Sequence, residues 1–585
     1  MDDLIKQRIK EWASPPYDNE TRKEIQSLVD INNEKELIDR FYLDLEFGTG
    51  GLRGVLGAGT NRMNIYNIRK VTQGLANYII RKNGQSKGVV ISRDSRIKSD
   101  LFAQTTASVL VANGIKVYFY KEIHPTPCVS FAINELKAVA GVMVTASHNP
   151  KEYNGYKVFW EDGAQVTPPN DTGIIEEVKK IVSLDQVKSM DFKETETSEL
   201  FEYIDDKLDP IYYEKTLSLS IHPEVIPSSG VKICFSPLHG VGYKIIPEML
   251  KRYGFKDVIL VKEQAIPDGT FPTAPFPNPE LEEAMQLGIE YSKKAGADVF
   301  IATDPDGDRI GAALKEKDGS YLLLNGNQIA SLLVYYVLSE LKNTGKLPHK
   351  PFMVSTIVTS KMLIDIADDL DIEAFETLTG FKWIGLKTKE QEALGKTFIF
   401  GCEESHGYNA AKWIRDKDAV NAACLFSELT AFYKSKGMSV AEVLDMLYIK
   451  YGYYKESQLS VYMKGKEGGE KIQNIMSTLR TDTPKKIGRY HVIIKKDVKL
   501  DEVYDIQTGK ITGKLGLPQS NVIILELSEN AKVIARPSGT EPKIKFYFTT
   551  YGKADKTNLE EIKSRVDNEH LELMNTFLDI LGIEQ

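Results

Sequence analysis

Cysteine is scarce in this chain. Its 585 residues include four, Cys128, Cys234, Cys402 and Cys424, and no two are spaced as Cys-x-x-Cys. That excludes a disulfide framework and a cysteine-held zinc, and it fits a reducing compartment. Long apolar runs are missing too, since none approaches the ~20 residues that a membrane span needs. The first residues, Met1 to Lys6, are charged and lack the apolar core of a signal peptide. These absences predict a cytoplasmic protein with no membrane contact. Basic excess is also lacking. The formal net charge is -8, without basic blocks, which argues against a nucleic-acid partner but leaves room for a local pocket that takes a small anion.

What is present is ordinary in bulk. Hydrophobic residues make up 42% and charged residues 27%, enough to bury several cores, over a length that suggests about three to five domains. Asp2 to about Phe41 reads as an outer layer of helices, with starts at Asp18-Asn19-Glu20-Thr21 and Asn33-Glu34-Lys35-Glu36. A pattern then recurs, an apolar strand running into a polar loop, from Gly88 to Asp94, from Val231 to Gly240 and from Pro351 to Ser360. These read as the opening strands of three similar α/β units of roughly 120 to 145 residues. The polar stretch from Ser183 to Leu208 reads as a linker, and the proline-dense stretch from Pro267 to Pro279 as a loop without an assigned role. Beyond about Tyr453, short β-rich runs and a helix from about Asn558 to Leu581 read as a smaller α+β domain with a mostly antiparallel sheet. The expected fold is α/β with four domains, three similar α/β units with mixed sheets plus a C-terminal α+β domain, divided as 1–205, 206–322, 323–455 and 456–585.

The candidate chemistry sits on loops. Thr145-Ala146-Ser147-His148-Asn149-Pro150 follows the apolar run from Ala138 to Val144, and strand ends of that kind deliver loops to ligand crevices. The same residues also make an ordinary turn. Asp304-Pro305-Asp306-Gly307-Asp308-Arg309 follows another apolar strand. Three carboxylates at alternating positions repel one another unless a hard cation sits among them, which suggests Mg²⁺. An EF-hand needs Gly where Arg309 stands and Glu where Lys315 stands, so that reading fails. A glycine-rich loop from Phe47 to Gly59 carries Arg53, without the spacing of a dinucleotide fold or a P-loop. Lys157 and Lys417 are candidate proton carriers if a dry, cationic site lowers their pKa. Glu403 and Ser405 suit sugar hydroxyls, and His406 reads as a neutral hydrogen-bonding residue. Arg536-Pro537-Ser538-Gly539-Thr540 gathers groups that surround a phosphate.

Taken together and in order, these four loops closely resemble those of the α-D-phosphohexomutase superfamily. Thr145 to Pro150 resembles its phosphoserine loop, Asp304 to Arg309 its metal loop, Gly401 to His406 its sugar loop and Arg536 to Thr540 its phosphate loop. Glu403-Glu404-Ser405 and the run from Thr377 to Trp383 resemble the phosphoglucomutase and phosphopentomutase branch; shorter members usually have Gly where this chain has His406. The resemblance implies four domains around a central cleft and an enzyme phosphorylated on Ser147. It implies one Mg²⁺ held by Ser147, Asp304, Asp306 and Asp308, with Arg53, His148 and Arg309 near the phosphoryl group. Lys157 is then the candidate base, with Lys417 or Lys382 at the distal end and Thr379, Gly380, Glu403 and Ser405 around the sugar. Arg536, Ser538, Gly539 and Thr540 take the substrate's phosphate. The implied reaction interconverts glucose 1-phosphate and glucose 6-phosphate through glucose 1,6-bisphosphate. The alternatives are pentose or mannose phosphates with the same chemistry, or a bisphosphate synthase.

Overall fold

The computed structural model describes residues 1–46, 48, 51–463, 465–538 and 543–583. The N-terminal layer is helical as expected: Asp3–Trp12, Asn19–Asp30 and Glu34–Phe41. Asp18 caps the second helix by accepting from Thr21 N at 2.8 Å, and Asn33 caps the third. Their apolar faces, led by Trp12, Ile25 and Phe41, close on Tyr66 of the first α/β unit. Among the described residues no helix is long and apolar enough to cross a membrane.

Three sheets share one plan. The first holds β1 (Gly51–Val55), β2 (Val89–Arg93), β3 (Val117–Phe119), β4 (Ala140–Val144), β5 (Tyr153–Trp160) and β6 (Phe201–Tyr203). The second holds β7 (Lys232–Ser236), β8 (Asp257–Leu260), β9 (Val299–Thr303), β10 (Ile310–Lys315) and β11 (Tyr321–Leu323). The third holds β12 (Pro351–Thr356), β13 (Glu373–Thr377), β14 (Thr397–Glu403) and β15 (Gly407–Asn409). The opening strands β2, β7 and β12 are each central, parallel to the next two strands of their unit. The third strand of each unit then turns into an antiparallel partner: β4 into β5, β9 into β10, β14 into β15. The expected triplication is therefore one of topology. One buried cluster, including Phe131, Tyr212, Phe235, Tyr336 and Phe426, runs through all three units and fixes them against each other.

The fourth sheet is antiparallel along β16 (Tyr453–Tyr462), Lys543–Gly552, Lys532–Pro537 and Ile523–Leu527, backed by the helix Leu559–Ile580. The expected division lines do not follow element ends. Residue 205 opens a helix, 322 lies inside β11, and 455 lies inside β16, so each line cuts an element. The stretch from Ser183 to Leu208 is more than a linker, because β6 pairs in parallel with β3 and Phe201 packs on Phe119 at 5.5 Å. The glycine-rich stretch also differs from expectation. Its part from Gly51 to Val55 is the edge strand β1, paired with β5. A Cβ on Gly51 would lie 1.8 Å from Tyr156 O, and one on Gly155 would lie 2.4 Å from Thr145 O. Both glycines serve close approach of main chains. Phe47, Thr49 and Gly50 lie outside the described residues.

Candidate active site

Three of the four loops singled out in the sequence occupy one and the same joint, the turn from the third strand of a unit into its antiparallel partner. Ser147 lies between β4 and β5, Asp304 to Arg309 between β9 and β10, and Glu404 to His406 between β14 and β15. Each turn carries a residue in the left-handed region: Ser147 at φ 53, Gly307 at φ 64 and His406 at φ 63. The loops also bond to one another. Ile310 N donates to His406 O at 3.1 Å, and His406 Nδ1 meets Ile310 O at 3.0 Å. Burial pushes the His406 pKa down, which keeps the ring neutral as expected.

Ser147 is buried, and its Oγ donates to Asp304 Oδ2 at 2.9 Å and lies 3.2 Å from His148 Nδ1. Burial, with Arg309 and Arg53 nearby, pushes the His148 pKa well down, so this ring is neutral and offers a hydrogen bond rather than charge. Arg53 is exposed on β1 and donates to Asn149 Oδ1 at 3.2 Å. Arg309 pairs with Glu280, and its main-chain N donates to Asp304 Oδ1 at 3.0 Å.

Asp304, Asp306 and Asp308 are all buried, and they present oxygens within 4.8 Å of one another. Asp306 Oδ1 and Asp308 Oδ1 are buried without a hydrogen-bond partner. Buried, orphaned carboxylate oxygens in so tight a cluster fit a hard divalent cation. Lys157 Nζ donates to Asp306 Oδ2 at 2.6 Å and Asp308 Oδ2 at 3.0 Å, and Lys417 Nζ lies 3.4 Å from Asp308 Oδ2. Burial pushes the carboxyls up, and Asp306 and Asp308 push Asp304 further, well above the usual range. The lysine charges reverse the shift at Asp306 and Asp308.

The lysine expectation is corrected at this point. Burial lowers the pKa of Lys157 and Lys417, but the aspartates outweigh it and the net shift is upward for both. Their surroundings are anionic, not cationic. Lys417 also stands at the metal loop rather than at the distal end. Burial does lower Lys382, to about 8, with Arg536 pushing the same way. Glu403 accepts from Gly380 N at 2.6 Å and is pushed up by burial; Thr379 and Ser405 are half-buried beside these groups in sequence. Arg536 is next to last in the strand Lys532–Pro537, and Ser538 N donates to Lys543 O at 2.9 Å. Gly539 and Thr540 lie outside the described residues. A hollow of about 700 Å³ against the N-terminal helices, lined in part by Trp12 and Tyr17, contains none of these residues.

Sequence reasoning missed Asp94, Arg96, Thr126 and Glu280. Asp94 Oδ2 accepts from Thr145 Oγ1 at 2.6 Å, and Thr145 Oγ1 in turn accepts from Ser147 N at 2.8 Å. Thr126 Oγ1 donates to Asp306 Oδ2 at 2.8 Å. The available signal was position: Asp94 and Arg96 follow β2 at its carboxyl end, where ligand-facing loops belong.

Comparison with known proteins agrees with this arrangement. Residues 44–185, 210–319 and 325–451 match the phosphoglucomutase/phosphomannomutase alpha/beta/alpha domains I, II and III. The chain is 34% identical to a phosphoglucomutase of Staphylococcus saprophyticus, over 94% of its own length and 97% of that protein. It is 32% identical to the phosphopentomutase of Mus musculus, over 97% of its length and 93% of that protein. The open form of the Paramecium phosphoprotein parafusin, a phosphoglucomutase, shares the fold with a TM-score of 0.67 at 17% identity, covering 93% of this chain and 97% of that one. Three matched domains in order, with relatives above 30% identity along nearly the whole length, make the chain a member of the α-D-phosphohexomutase superfamily and an intramolecular phosphotransferase of the isomerase class.

Proposed function

We propose that the protein interconverts glucose 1-phosphate and glucose 6-phosphate, with Ser147 as the phosphoryl carrier and glucose 1,6-bisphosphate as the intermediate. The observation that carries this reading is the Ser147 hydroxyl, 2.9 Å from a buried aspartate triad with two orphaned oxygens. Asp304, Asp306 and Asp308 would hold Mg²⁺ together with the serine's phosphate. When bound, the ion supplies charge neutralisation at the transferring phosphoryl group. The protonated Lys157 and Lys417 add positive charge at the same end.

In the first transfer the bond from Ser147 Oγ to phosphorus breaks and one from the sugar hydroxyl oxygen forms. The hydroxyl proton ends on Ser147 Oγ, and His148 Nδ1, neutral and 3.2 Å away, can pass it. Glu403 and Ser405 hold the sugar ring. Arg536 and Ser538 take the standing phosphate, and Lys382 sits beside them. The bisphosphate then turns end for end, and its other phosphate recharges Ser147.

A pentose reading competes because relatives named phosphoribomutase and phosphopentomutase, 35% and 32% identical, are as similar as the phosphoglucomutase at 34%. A panel of glucose, mannose, ribose and deoxyribose 1-phosphates with trace bisphosphate separates them. Glucose 1-phosphate should lead in kcat/KM by at least about tenfold; ribose 1-phosphate in front would replace the proposal.

Lys382 gives a pH test. Its pKa of about 8 leaves it charged below that pH and neutral above. Between pH 7 and pH 9 a sugar phosphate is already fully dianionic, since its second pKa is about 6. KM should therefore rise with pH, by up to about tenfold as the lysine loses its charge. Lys382→Met should show a high, flat KM over the same range. Coincident profiles would remove Lys382 from the phosphate end.

A further inference from the structure

The proline-rich stretch that sequence left without a role touches the serine loop through one arginine. The Arg96 side chain is fully buried and forms an ion pair with Asp94 at 3.1 Å. Its Nη2 donates to Ser147 O and Asn149 O at 2.5 Å each, and its Nη1 to Pro150 O at 2.9 Å and Tyr153 O at 3.1 Å. Four main-chain carbonyls of one loop thus converge on a single guanidinium, a geometry only its planar fork can serve. The other face of Arg96 lies 4.9 Å from the ring centre of Phe271, a residue of the second unit. Phe271 is fully buried at φ 47, a conformation that a bulky residue adopts only when its surroundings hold it there.

The contact belongs to a closed circuit. Gly269 bridges to Arg96, and a Cβ on Gly269 would lie 2.6 Å from Ile97 N and from Ser95 O. Ser95 Oγ donates to His239 O at 2.8 Å, and His239 Nε2 meets Thr273 Oγ1 at 2.9 Å. Next to His239, a Cβ on Gly240 would lie 2.3 Å from Pro305 Cα, and Val241 N donates to Pro305 O at 2.9 Å. Pro305 is part of the metal loop, and Asp304 of that loop returns to Ser147 Oγ.

We propose that Arg96 and Phe271 are positioning residues for transfer at Ser147: the proline-rich loop clamps Arg96, and Arg96 sets the serine loop against the metal loop. This rests on Ser147 being the phosphoryl carrier. Both side chains are fully buried, so the clamp acts on the reaction through the place of one oxygen. Misplacement of a reacting group by about 1 Å costs about 10²-fold in rate.

Phe271→Leu keeps apolar bulk and removes the ring face, and Arg96→Lys keeps charge and removes the fork. The measurements are kcat and KM for glucose 1-phosphate, normalised to the phosphorylated fraction by intact mass, with Tm alongside. Both variants should lose about 10²-fold in kcat while KM stays within about threefold. The double variant should fall no more than about threefold below Arg96→Lys alone, because the two act through one contact. Should Arg96→Lys not fold, Phe271→Leu and the wedge Gly269→Ala carry the test. A lowered Tm with wild-type kcat per phosphorylated molecule would overturn the proposal, and so would additive losses. Full turnover in Ser147→Ala would instead sink the mutase reading beneath it. An inactive Ser147→Ala beside a Phe271→Leu at wild-type kcat sinks the clamp alone.

Discussion

Ser147→Ala should lose sugar-phosphate interconversion by about 10⁴-fold or more, the scale on which removal of a covalent nucleophile acts. The loss should fall on kcat, and intact mass, which should find a sub-population carrying one phosphate in the wild type, should find none in the variant. Stability should change little. The substitution removes one hydrogen bond to Asp304 and one contact with His148, worth on the order of 1 kcal/mol, while the Arg96 bonds go to main-chain oxygens and survive. Loss of activity with an unmoved Tm therefore isolates the hydroxyl as a chemical group. If the variant turns over like the wild type, or if the phosphate maps to another residue, Ser147 is not the carrier.

Removal of the divalent cation should be nearly as severe. Excess chelator should abolish turnover and Mg²⁺ should restore it. Asp306→Asn should lose about 10³-fold and should not be rescued by added Mg²⁺. Asn is the informative choice, because it keeps an oxygen for Lys157 and Thr126, which now donate to Asp306 Oδ2. Ala would remove that oxygen along with the charge and leave two buried donors without an acceptor, at a cost of about 1–3 kcal/mol or more unrelated to catalysis. A second readout needs no turnover. Mg²⁺ should raise the Tm of the wild type, since it binds the folded triad alone, and should leave Asp306→Asn unmoved. Full activity in chelator would end the metal assignment.

Much of this site was legible because its residues are local. Asp304, Asp306 and Asp308 lie within one turn after a buried strand, and Ser147 follows another; alternation and strand ends are visible in a sequence. What was not legible depends on distant partners. Arg96 reads as a surface charge until the loop some fifty residues on folds over it. The proline-rich stretch reads as idle until Phe271 meets that arginine. The sign of the Lys157 shift follows from two carboxylates about 150 residues away, at 2.6 and 3.0 Å. Gly51 reads as part of a loop until the chain folds, when Tyr156 O lies 1.8 Å from where its Cβ would stand.

The left-handed residue at each of the three joints bears on evolvability. The turn asks for a residue content at positive φ, and the second unit answers with Gly307. The third unit has His406 there, so the departure from Gly noted in the sequence concerns the shape of a turn before it concerns any sugar. At the first joint the turn and the chemistry compete for one position. Glycine would relieve on the order of 1 kcal/mol of backbone strain at residue 147, yet only a hydroxyl can carry a phosphate. Drift toward a more stable chain thus runs, at this residue, toward an inert one, and selection for turnover must hold the serine against it.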